Sequence, residues 1–244
     1  MKILLKGQFL SDIEPLLRRD GISLISEAAG TTPDLIITHG GDGSLLGMER
    51  KYPGVPKLPI RDKRTSLLCP KHSYEKLIDS LMAGKLSRTE EIKLSGSTGK
   101  RKILGMNDIF IHNSNRVSAI RYRVWINNEL YLKEVASDCF GIATPHGSTA
   151  YYRSITRTVF RTGIGLAFSN SREHVDHIIL PEDDIIKIQL LRGPAFIVAD
   201  NDQEHIDFNT NEILTISKSS AKAVIFGLDV FMCPDCRKLR HMKN

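Results

Sequence analysis

The hydrophobic pattern of the first eighty-odd residues alternates between strand-like and helix-like segments. Short apolar runs predict buried strands at 2–6, 22–25 and 34–38. Capping residues and helix-ending glycine or proline predict helices over 11–17, from near Ser44 to Pro53, and over 73–83. Strands that alternate with helices indicate a parallel sheet with helices on its faces.

After about Arg88 the helical periodicity fades and short β-rich segments follow one another. Strands are predicted at 92–94, 102–104, 109–112, 120–126, 130–135, 185–191, 196–198, 213–217 and 223–226. Asn127-Asn128 suits a tight hairpin turn between two of them. The exception is a helix predicted from Ser148 to about Thr158. We therefore expect an α/β domain over residues 1–88 and a mostly β, sandwich-like domain over residues 89–228, with the boundary near 85–92.

Composition narrows the class of protein. Hydrophobic residues make up 41% of the 244 residues and charged residues 25%, which is typical of a globular protein. The net charge of +6 favours polyanionic ligands such as nucleotides or polyphosphate. The sequence has no nucleic-acid-binding signature, no apolar run of the ~18 residues that a membrane helix needs, and no signal peptide at its start. We expect a cytoplasmic protein without a nucleic-acid or membrane partner.

The four cysteines fall into two classes. Cys69 and Cys139 lie in apolar stretches and are predicted to be buried thiols. Cys233 and Cys236 form one C-x-x-C pair near the end of the chain. The pair lacks a second ligand pair for zinc, although His241 could be a third ligand. Two tail cysteines, free or joined in a disulfide, are the simpler interpretation, and a metal site is the alternative.

A first candidate loop, Gly40-Gly41-Asp42-Gly43, follows a predicted strand and opens a helix at Ser44. Its glycines let a phosphate approach the backbone, and amides at a helix start can bind the anion. A carboxylate repels phosphate, so Asp42 is unusual there unless it holds Mg²⁺ or takes a proton from an attacking hydroxyl. A helix cap in a glycine-rich turn is the alternative.

A second candidate loop runs from Thr144 to Tyr151 and reads Thr-Pro-His-Gly-Ser-Thr-Ala-Tyr. Gly147 permits a tight turn, and Ser148 and Thr149 offer hydroxyls at a helix start that can bind an adenine edge, a ribose or a phosphate. The ring of Tyr151 can pack on a base. An N-capped helix after a proline explains the same residues without a ligand.

Together with Asn107-Asp108 between them, these two loops resemble the motifs of NAD kinases. Those enzymes use ATP or polyphosphate to phosphorylate the 2′-hydroxyl of the NAD adenosine ribose. The octet matches seven of the family's eight usual residues, with His146 in place of threonine. The resemblance spans most of the chain. It implies an α/β nucleotide-binding domain, a β-rich NAD-binding domain, and a tail, residues 229–244, that packs back on the first domain.

The resemblance also implies roles for individual residues. Asp42 would be the catalytic carboxylate, and the donor's phosphates would lie against Gly40, Gly41, Gly43 and Ser44, with Mg²⁺ or another divalent ion held by those phosphates rather than by a side chain. The implied NAD-binding residues are Asn107, Asp108, Asp138, Thr149, Ala150, Tyr151 and Ser154. Asp138 would contact the nicotinamide side, often from a neighbouring subunit, which implies a homo-oligomer.

The chain departs from the family pattern in several places. Asp108 stands for the usual glutamate, and Cys139 follows Asp138 where glycine is usual. The segment 57–66 lacks the usual Gly-Phe-Leu element and carries Arg61, Lys63 and Arg64 instead. Arg153, Arg157 and Arg161 recur every four residues, so on a continuing helix they would share one face. Arg157 is then a candidate phosphate ligand, with a solvated basic face as the alternative.

Two other functions remain open at this point. One is a kinase with the same aspartate loop that acts on a lipid or another nucleoside. The other is an NAD- or nucleotide-binding regulator without catalysis. The sequence leaves open the phosphoryl donor, the choice between NAD and NADH, and the choice between dimer and tetramer.

Overall fold

The computed structural model describes residues 1–69, 72–99, 101–115, 117–173 and 175–241, without the side chains of 29 and 239–241. The chain forms two compact units. Residues Met1–Glu91 and Ala223–Asn244 form the first, which we call the α/β unit, and Ile92–Lys222 form the second, the β unit. The predicted fold class, with an α/β N-terminal part, a mostly β second part and a returning tail, is confirmed.

The α/β unit is built on a parallel sheet. Its strands are β1 (Lys2–Gly7), β2 (Ser23–Ile25), β3 (Leu35–Gly40) and β4 (Lys57–Arg61). Its helices are α1 (Glu14–Leu17), α2 (Asp42–Lys51), α3 (Tyr74–Met82), α5 (Leu228–Phe231) and α6 (Pro234–His241), with single 3₁₀ turns at Leu10–Asp12 and Glu27–Ala29. The strand order is β2-β1-β3-β4, and the returning chain pairs parallel to β4 at Ile225.

Alternating residues of the central strands pack into two apolar layers, one on each face of the sheet. On β3, Leu35 and Ile37 pack with Leu77 and Ile78 of α3, whereas Ile36 packs with Met48 of α2. Helices thus cover both faces of this sheet, as expected for parallel strands.

Strand β4 was not predicted, because its sequence Lys-Leu-Pro-Ile-Arg carries a charge at each end. All five residues are nevertheless buried. The Lys57 ammonium donates to the Glu49 carboxylate and, at 2.5 Å, to the carbonyl oxygen of Tyr52. A tertiary ion pair therefore makes a charged residue compatible with an interior strand.

The β unit is a sandwich of antiparallel strands. Its strands are β5 (Arg88–Ser97), β6 (Lys102–Gly105), β7 (Asp108–Asn113), β8 (Ile120–Ile126), β9 (Glu129–Ser137), β10 (Cys139–Ala143), β11 (Ile164–Ser169), β12 (His177–Leu180), β13 (Ile186–Arg192), β14 (Ala195–Ala199), β15 (Ile206–Phe208) and β16 (Ile213–Phe226). The chain passes between the two units within β5 and β16.

Two sets of neighbouring strands face each other across one core in this unit. One set has the order β16-β13-β8-β9, and the other has the order β12-β11-β10-β7-β14-β15. Tyr122 and Val124 of the first set share a core with Ile111 and Phe140 of the second. The predicted hairpin at Asn127-Asn128 is confirmed, since both asparagines adopt positive φ angles, 50° and 71°.

The predicted helix from Ser148 to Thr158 is shorter and broken. A 3₁₀ turn over Gly147–Thr149 precedes α4 (Tyr151–Thr156), and Arg157 ends the helix with a φ of 60°. The prediction that Arg153, Arg157 and Arg161 share one helical face is therefore wrong, because a left-handed residue redirects the chain after Thr156. In the part of the chain that the structure describes, no helix has both the length and the apolar character that a membrane crossing requires.

Candidate functional site

The loop Gly40-Gly41-Asp42-Gly43 joins the end of β3 to the start of α2. Gly40 has a φ of 151°, and a Cβ there would lie 2.7 Å from the Ser44 Oγ. A Cβ on Gly41 would meet nothing within 4 Å, so the loop is open on that side. The helix begins at Asp42, whose peptide carries the partial positive charge of a helix start. This geometry suits an anion close to the backbone.

Arg61, at the end of β4, holds the Asp42 carboxylate with both of its terminal nitrogens. The Nη1–Oδ2 distance is 3.1 Å and the Nη2–Oδ1 distance is 3.2 Å. The Arg61 side chain is 9% exposed and that of Asp42 is 48% exposed. The buried, planar guanidinium of Arg61 therefore fixes the orientation of the Asp42 carboxylate, which remains accessible to solvent.

Arg61 is in turn held by Phe231 of the returning tail. Its Nε donates to the carbonyl oxygen of Phe231 at 3.1 Å, and its guanidinium lies 3.8 Å from the centre of the Phe231 ring. The returning tail therefore supports the arginine that aims Asp42. The sequence marked Arg61 only as a departure from the family pattern, and this role depends on a residue 170 positions away.

A buried histidine supports the same edge of the sheet. The Nδ1 of His39 donates to the carbonyl oxygen of Gln8 at 2.6 Å, and its Nε2 lies 2.9 Å from the Tyr74 hydroxyl, which donates to the carbonyl oxygen of Arg61 at 3.2 Å. That hydroxyl accepts the backbone N–H of Lys63 at 2.9 Å. Burial raises the pKa of Tyr74, so it stays a neutral donor. His39 carried no predicted role, and its position before the first glycine was the available signal.

In the β unit, the start of the second loop is bonded to Asn107. The Thr144 hydroxyl donates to the carbonyl oxygen of Met106 at 2.7 Å, and the Thr144 N–H donates to that of Asn107 at 2.8 Å. A Cβ on Gly147 would lie 2.0 Å from the Asn107 oxygen, so only glycine fits there. The motifs around residues 107 and 144–151, far apart in sequence, therefore form one structure.

The two hydroxyls at the helix start behave differently. The Ser148 Oγ is fully buried within hydrogen-bonding distance of the carbonyl oxygens of Pro145 and Phe160, at 2.7 and 3.0 Å. Ser148 therefore shapes the loop and is not presented to a ligand, contrary to our expectation. Thr149 is exposed, and its hydroxyl donates to the carbonyl oxygen of His146 at 3.2 Å.

Asp200 organises the segment Met106–Asp108. Its carboxylate accepts the backbone N–H groups of Met106, Asn107 and Asp108 at 3.0, 2.7 and 3.3 Å. Burial, and then the negative charge of Asp200, raise the pKa of Asp108 well above its usual value. Asp108 therefore stays protonated, and able to donate a hydrogen bond, over a wider pH range than an ordinary aspartate. These carboxylate bonds could not be read from the local sequence, since Asp200 lies 92–94 residues from their donors.

A pocket of about 750 Å³ lies in the β unit. Its lining is Tyr151, Ser154, Ile155, Arg157, Phe168, Ser169, Asn170, Ser171, Glu173, Val175 and Asp176. Three of the predicted site residues, Tyr151, Ser154 and Arg157, thus share it. Asp138 does not line the pocket, but its Oδ2 accepts a hydrogen bond from the Nδ2 of Asn170, which does, at 2.8 Å. Asn107, Asp108, Thr149 and Ala150 do not line this pocket.

Aromatic rings extend from Tyr151 along the neighbouring strands. Its ring centre lies 4.7 Å from that of Phe110 and 5.8 Å from that of His112, which is stacked in turn on Phe196 at 5.4 Å. Burial lowers the pKa of His112, so its ring is more readily neutral. This row was not predicted, because its members are spread over three elements.

Cys69, Cys139, Cys233 and Cys236 all lie among the described residues, and none of them forms a disulfide. Cys139 lies in the β unit, and burial raises its pKa to about 12. Cys233 and Cys236 lie beside Cys69 and His72 in the α/β unit, and these four could hold a metal ion. The side chain of His241, the third ligand considered from the sequence, lies outside the described residues.

The chain is similar in sequence to known NAD kinases. No protein-family model matches the chain. It is 32% identical over 171 residues to the NAD kinase of Acidithiobacillus ferrooxidans, a match that covers 63% of this chain and 54% of that relative. It is 24% identical over 212 residues to the NAD kinase of Nitrosospira multiformis, which covers 82% of this chain and 72% of that relative.

A solved structure has the same fold over nearly the whole chain. It is an NAD kinase from Archaeoglobus fulgidus in complex with ATP, with a TM-score of 0.78, 21% identity, and coverage of 97% of this chain and 99% of that one. The resemblance seen in the loops at 40–43 and 144–151 is thus matched by relatives and by architecture. The chain is therefore similar to NAD kinases in sequence and shares the fold of a solved one, and it spans about half the length of the Acidithiobacillus ferrooxidans relative.

Proposed function

We propose that this chain transfers a phosphoryl group from ATP or polyphosphate to the 2′-hydroxyl of the adenosine ribose of NAD, giving NADP. The observation that carries the proposal is the Asp42 carboxylate. It stands half-exposed at the end of a glycine loop, and a buried arginine holds both of its oxygens. Such a group is held in one orientation and is not the helix cap, since the N-cap residue of α2 is Gly41 and Asp42 is the first residue of the helix. We propose that it accepts the hydroxyl proton.

In the proposed reaction, the ribose hydroxyl donates its proton to Asp42 while its oxygen attacks the terminal phosphorus of the donor. The bond from that phosphorus to the bridging oxygen breaks, and the shortened donor leaves with the electron pair. Arg61 fixes the orientation of the carboxylate, so little rotational freedom is lost when the hydroxyl arrives. Gly40 and Gly41 keep the loop clear of Cβ atoms where phosphates would lie.

A divalent cation such as Mg²⁺ fits this loop only if the donor's phosphates coordinate it. Both Asp42 oxygens are bonded to Arg61, and a carboxylate so occupied offers a metal only an incomplete ligand set. When bound, the ion would supply neutralisation of phosphate charge. We therefore assign no metal-ligating side chain here and keep Gly43 and Ser44 as proposed phosphate neighbours.

For NAD, we propose that the adenosine part binds at Asn107 and Asp108. The Asn107 Oδ1 is buried and has no hydrogen-bond partner among the described residues, so a ligand donor would satisfy it. Asp108 can donate as a protonated acid. Thr149, Ala150, Tyr151, Ser154 and Asp138 remain the proposed residues for the rest of the dinucleotide, and Arg157 the proposed phosphate ligand.

ATP is the donor we favour, since the Archaeoglobus fulgidus relative was solved in complex with ATP. We also propose that the chain forms a homo-oligomer, as the assigned role of Asp138 implies. Sedimentation of the purified protein at several concentrations tests this, and a monomer at every concentration would remove the proposal.

The deciding experiment supplies purified protein with NAD, Mg²⁺ and a panel of donors, and follows NADP with a coupled dehydrogenase. Asp42→Asn should lower turnover by about 10²–10⁴-fold, the usual contribution of a general base. Its NAD affinity, measured by titration calorimetry, should stay within a few fold. Asp20→Asn, an exposed aspartate of the same unit, is the matched control.

The same assay separates the rival functions. NAD binding without NADP formation from any donor would indicate a regulator. Phosphorylation of a lipid or nucleoside in place of NAD would indicate a different kinase of this fold. Full turnover by Asp42→Asn would remove Asp42 as the base.

A further inference from the structure

Four potential metal ligands meet in the α/β unit, away from the glycine loop. They are Cys69, His72, Cys233 and Cys236, and their ligand atoms all lie within 4.8 Å of one another. In sequence they form two pairs, C-x-x-H and C-x-x-C, separated by more than 160 residues. Two such short-spaced pairs from distant segments are the usual ligand arrangement of a structural zinc site.

The backbone brings each pair together. In the first pair, the N–H of His72 donates to the carbonyl oxygen of Cys69 at 2.9 Å. In the second, Cys233 stands before the first residue of α6, and the N–H of Arg237 donates to its carbonyl oxygen at 3.0 Å. Cys236 is then in the first turn of that helix, so both sulfurs of the pair can face one point.

Distances between the ligand atoms agree with a tetrahedral ion. The His72 Nδ1 lies 3.4 Å from the Cys69 Sγ and 3.4 Å from the Cys236 Sγ. Zinc bonds of about 2.3 Å to sulfur and about 2.0 Å to nitrogen would place tetrahedral ligands about 3.6 Å apart. Only small shifts are needed to admit the ion.

The surroundings also suit a buried metal site. The backbone N–H of Cys69 donates to the Cys236 Sγ at 3.3 Å, a bond that stabilises negative charge on sulfur. All three cysteines are at most 7% exposed, and partly buried Leu68 packs against them. A disulfide between Cys233 and Cys236 would leave Cys69 and His72 converging on it without a role.

We propose that Cys69, His72, Cys233 and Cys236 bind one zinc ion in a closed Cys₃His site that fastens the returning tail to the α/β unit. The ion links the turn after β4 to α6. Phe231, which supports Arg61, lies two residues before Cys233. The site is therefore structural, and it anchors the segment that backs the Asp42–Arg61 pair.

The test measures metal and does not depend on the proposed kinase activity. The full chain, purified without chelators, should contain about one zinc per chain by mass spectrometry of metals. Cys69→Ser and Cys236→Ser should each hold at least about fivefold less. Cys139→Ser, which removes a buried cysteine of the β unit, should keep the full content.

A second measurement uses wild-type protein alone, in case the serine variants do not fold. Metal is removed with a chelator under reducing conditions and Co²⁺ is added. Intense visible bands of tetrahedral cobalt with a sulfur-to-metal charge-transfer band are expected, and zinc should abolish them. Absence of these bands, iron in place of zinc, or a Cys233–Cys236 disulfide in protein purified anaerobically would each overturn the proposal.

Discussion

Replacing Asp200 with asparagine tests whether one carboxylate holds the Met106–Asp108 segment in place. Asp200 adopts a φ of 53°, in the left-handed region that asparagine tolerates nearly as well as aspartate. The side-chain shape is almost unchanged. The substitution therefore isolates the charge and one acceptor oxygen from any backbone effect.

The expected cost follows from the three bonds. Oδ1 accepts from Asn107 and Asp108, and Oδ2 accepts from Met106. Asparagine can keep the Oδ1 bonds, but it places an amide donor against the Met106 N–H. Losing a hydrogen bond to a charged group costs about 1.5–3 kcal/mol. The pKa of Asp108 would fall, but burial, its larger cause, remains, so the relief is smaller than the loss.

We expect a net loss of about 2 kcal/mol, roughly a 30-fold change in the unfolding equilibrium. Asp200→Ala, which leaves all three donors without the carboxylate and puts alanine at positive φ, should cost about 4–5 kcal/mol. Urea unfolding followed by the fluorescence of Trp125, the single tryptophan, reports on the β unit in which it lies.

The control is Asp207→Asn, an aspartate with a 76% exposed side chain on β15, which should change stability by less than about 0.5 kcal/mol. If Asp200→Asn unfolds at the wild-type urea concentration, the carboxylate does not hold the segment. If Asp200→Ala costs no more than Asp200→Asn, the three bonds are not the source of its stabilising effect.

Three further predictions concern other parts of the molecule. Tyr151→Ala should weaken NAD binding about tenfold in calorimetry, whereas Tyr131→Ala, with the same 41% exposure, should not; equal affinities would remove Tyr151 from the proposed NAD-binding residues. Lys57→Met should cost about 3–5 kcal/mol by circular dichroism, because it removes the ammonium that neutralises the buried Glu49 carboxylate, and a Lys57→Met/Glu49→Leu double variant should recover most of it; additive losses would contradict this. Because its pKa is raised in the fold, Asp108 loses stabilising effect as pH rises from about 4 through the folded value. Asp108→Asn should therefore be more stable than wild type at neutral pH and equal to it below about pH 4; a pH-independent difference would refute the cause.

Features that depend on local sequence could be predicted. The helix Tyr74–Met82 begins at Ser73, whose hydroxyl accepts the N–H of Lys76 at 3.2 Å, and it ends before Gly84, which has a φ of 64°. The Asn127-Asn128 turn likewise needs only two residues that tolerate positive φ. In both cases the determining atoms lie within a few residues of one another.

Features that depend on distant partners could not be predicted. The strand Lys57–Arg61 looks polar, because nothing nearby reveals that Glu49 and Asp42 neutralise its end charges. The zinc ligands present the same problem. Cys233 and Cys236 could be considered only with each other and with the nearby His241, since their actual neighbours lie more than 160 residues earlier.

Two candidate functional aspartates, one in each unit, show how the fold assigns different chemistry to the same side chain. Asp42 is half-exposed, and the guanidinium of Arg61 holds both of its carboxylate oxygens in one orientation. Asp108 is buried beside Asp200, and the pKa that results favours the protonated acid, which can donate a hydrogen bond. The sequence places an aspartate in each motif, but it does not show which neighbour faces it. Since Arg61 and Asp200 make that difference, a change at either residue should alter the chemistry of the aspartate beside it as strongly as a change within the motif itself.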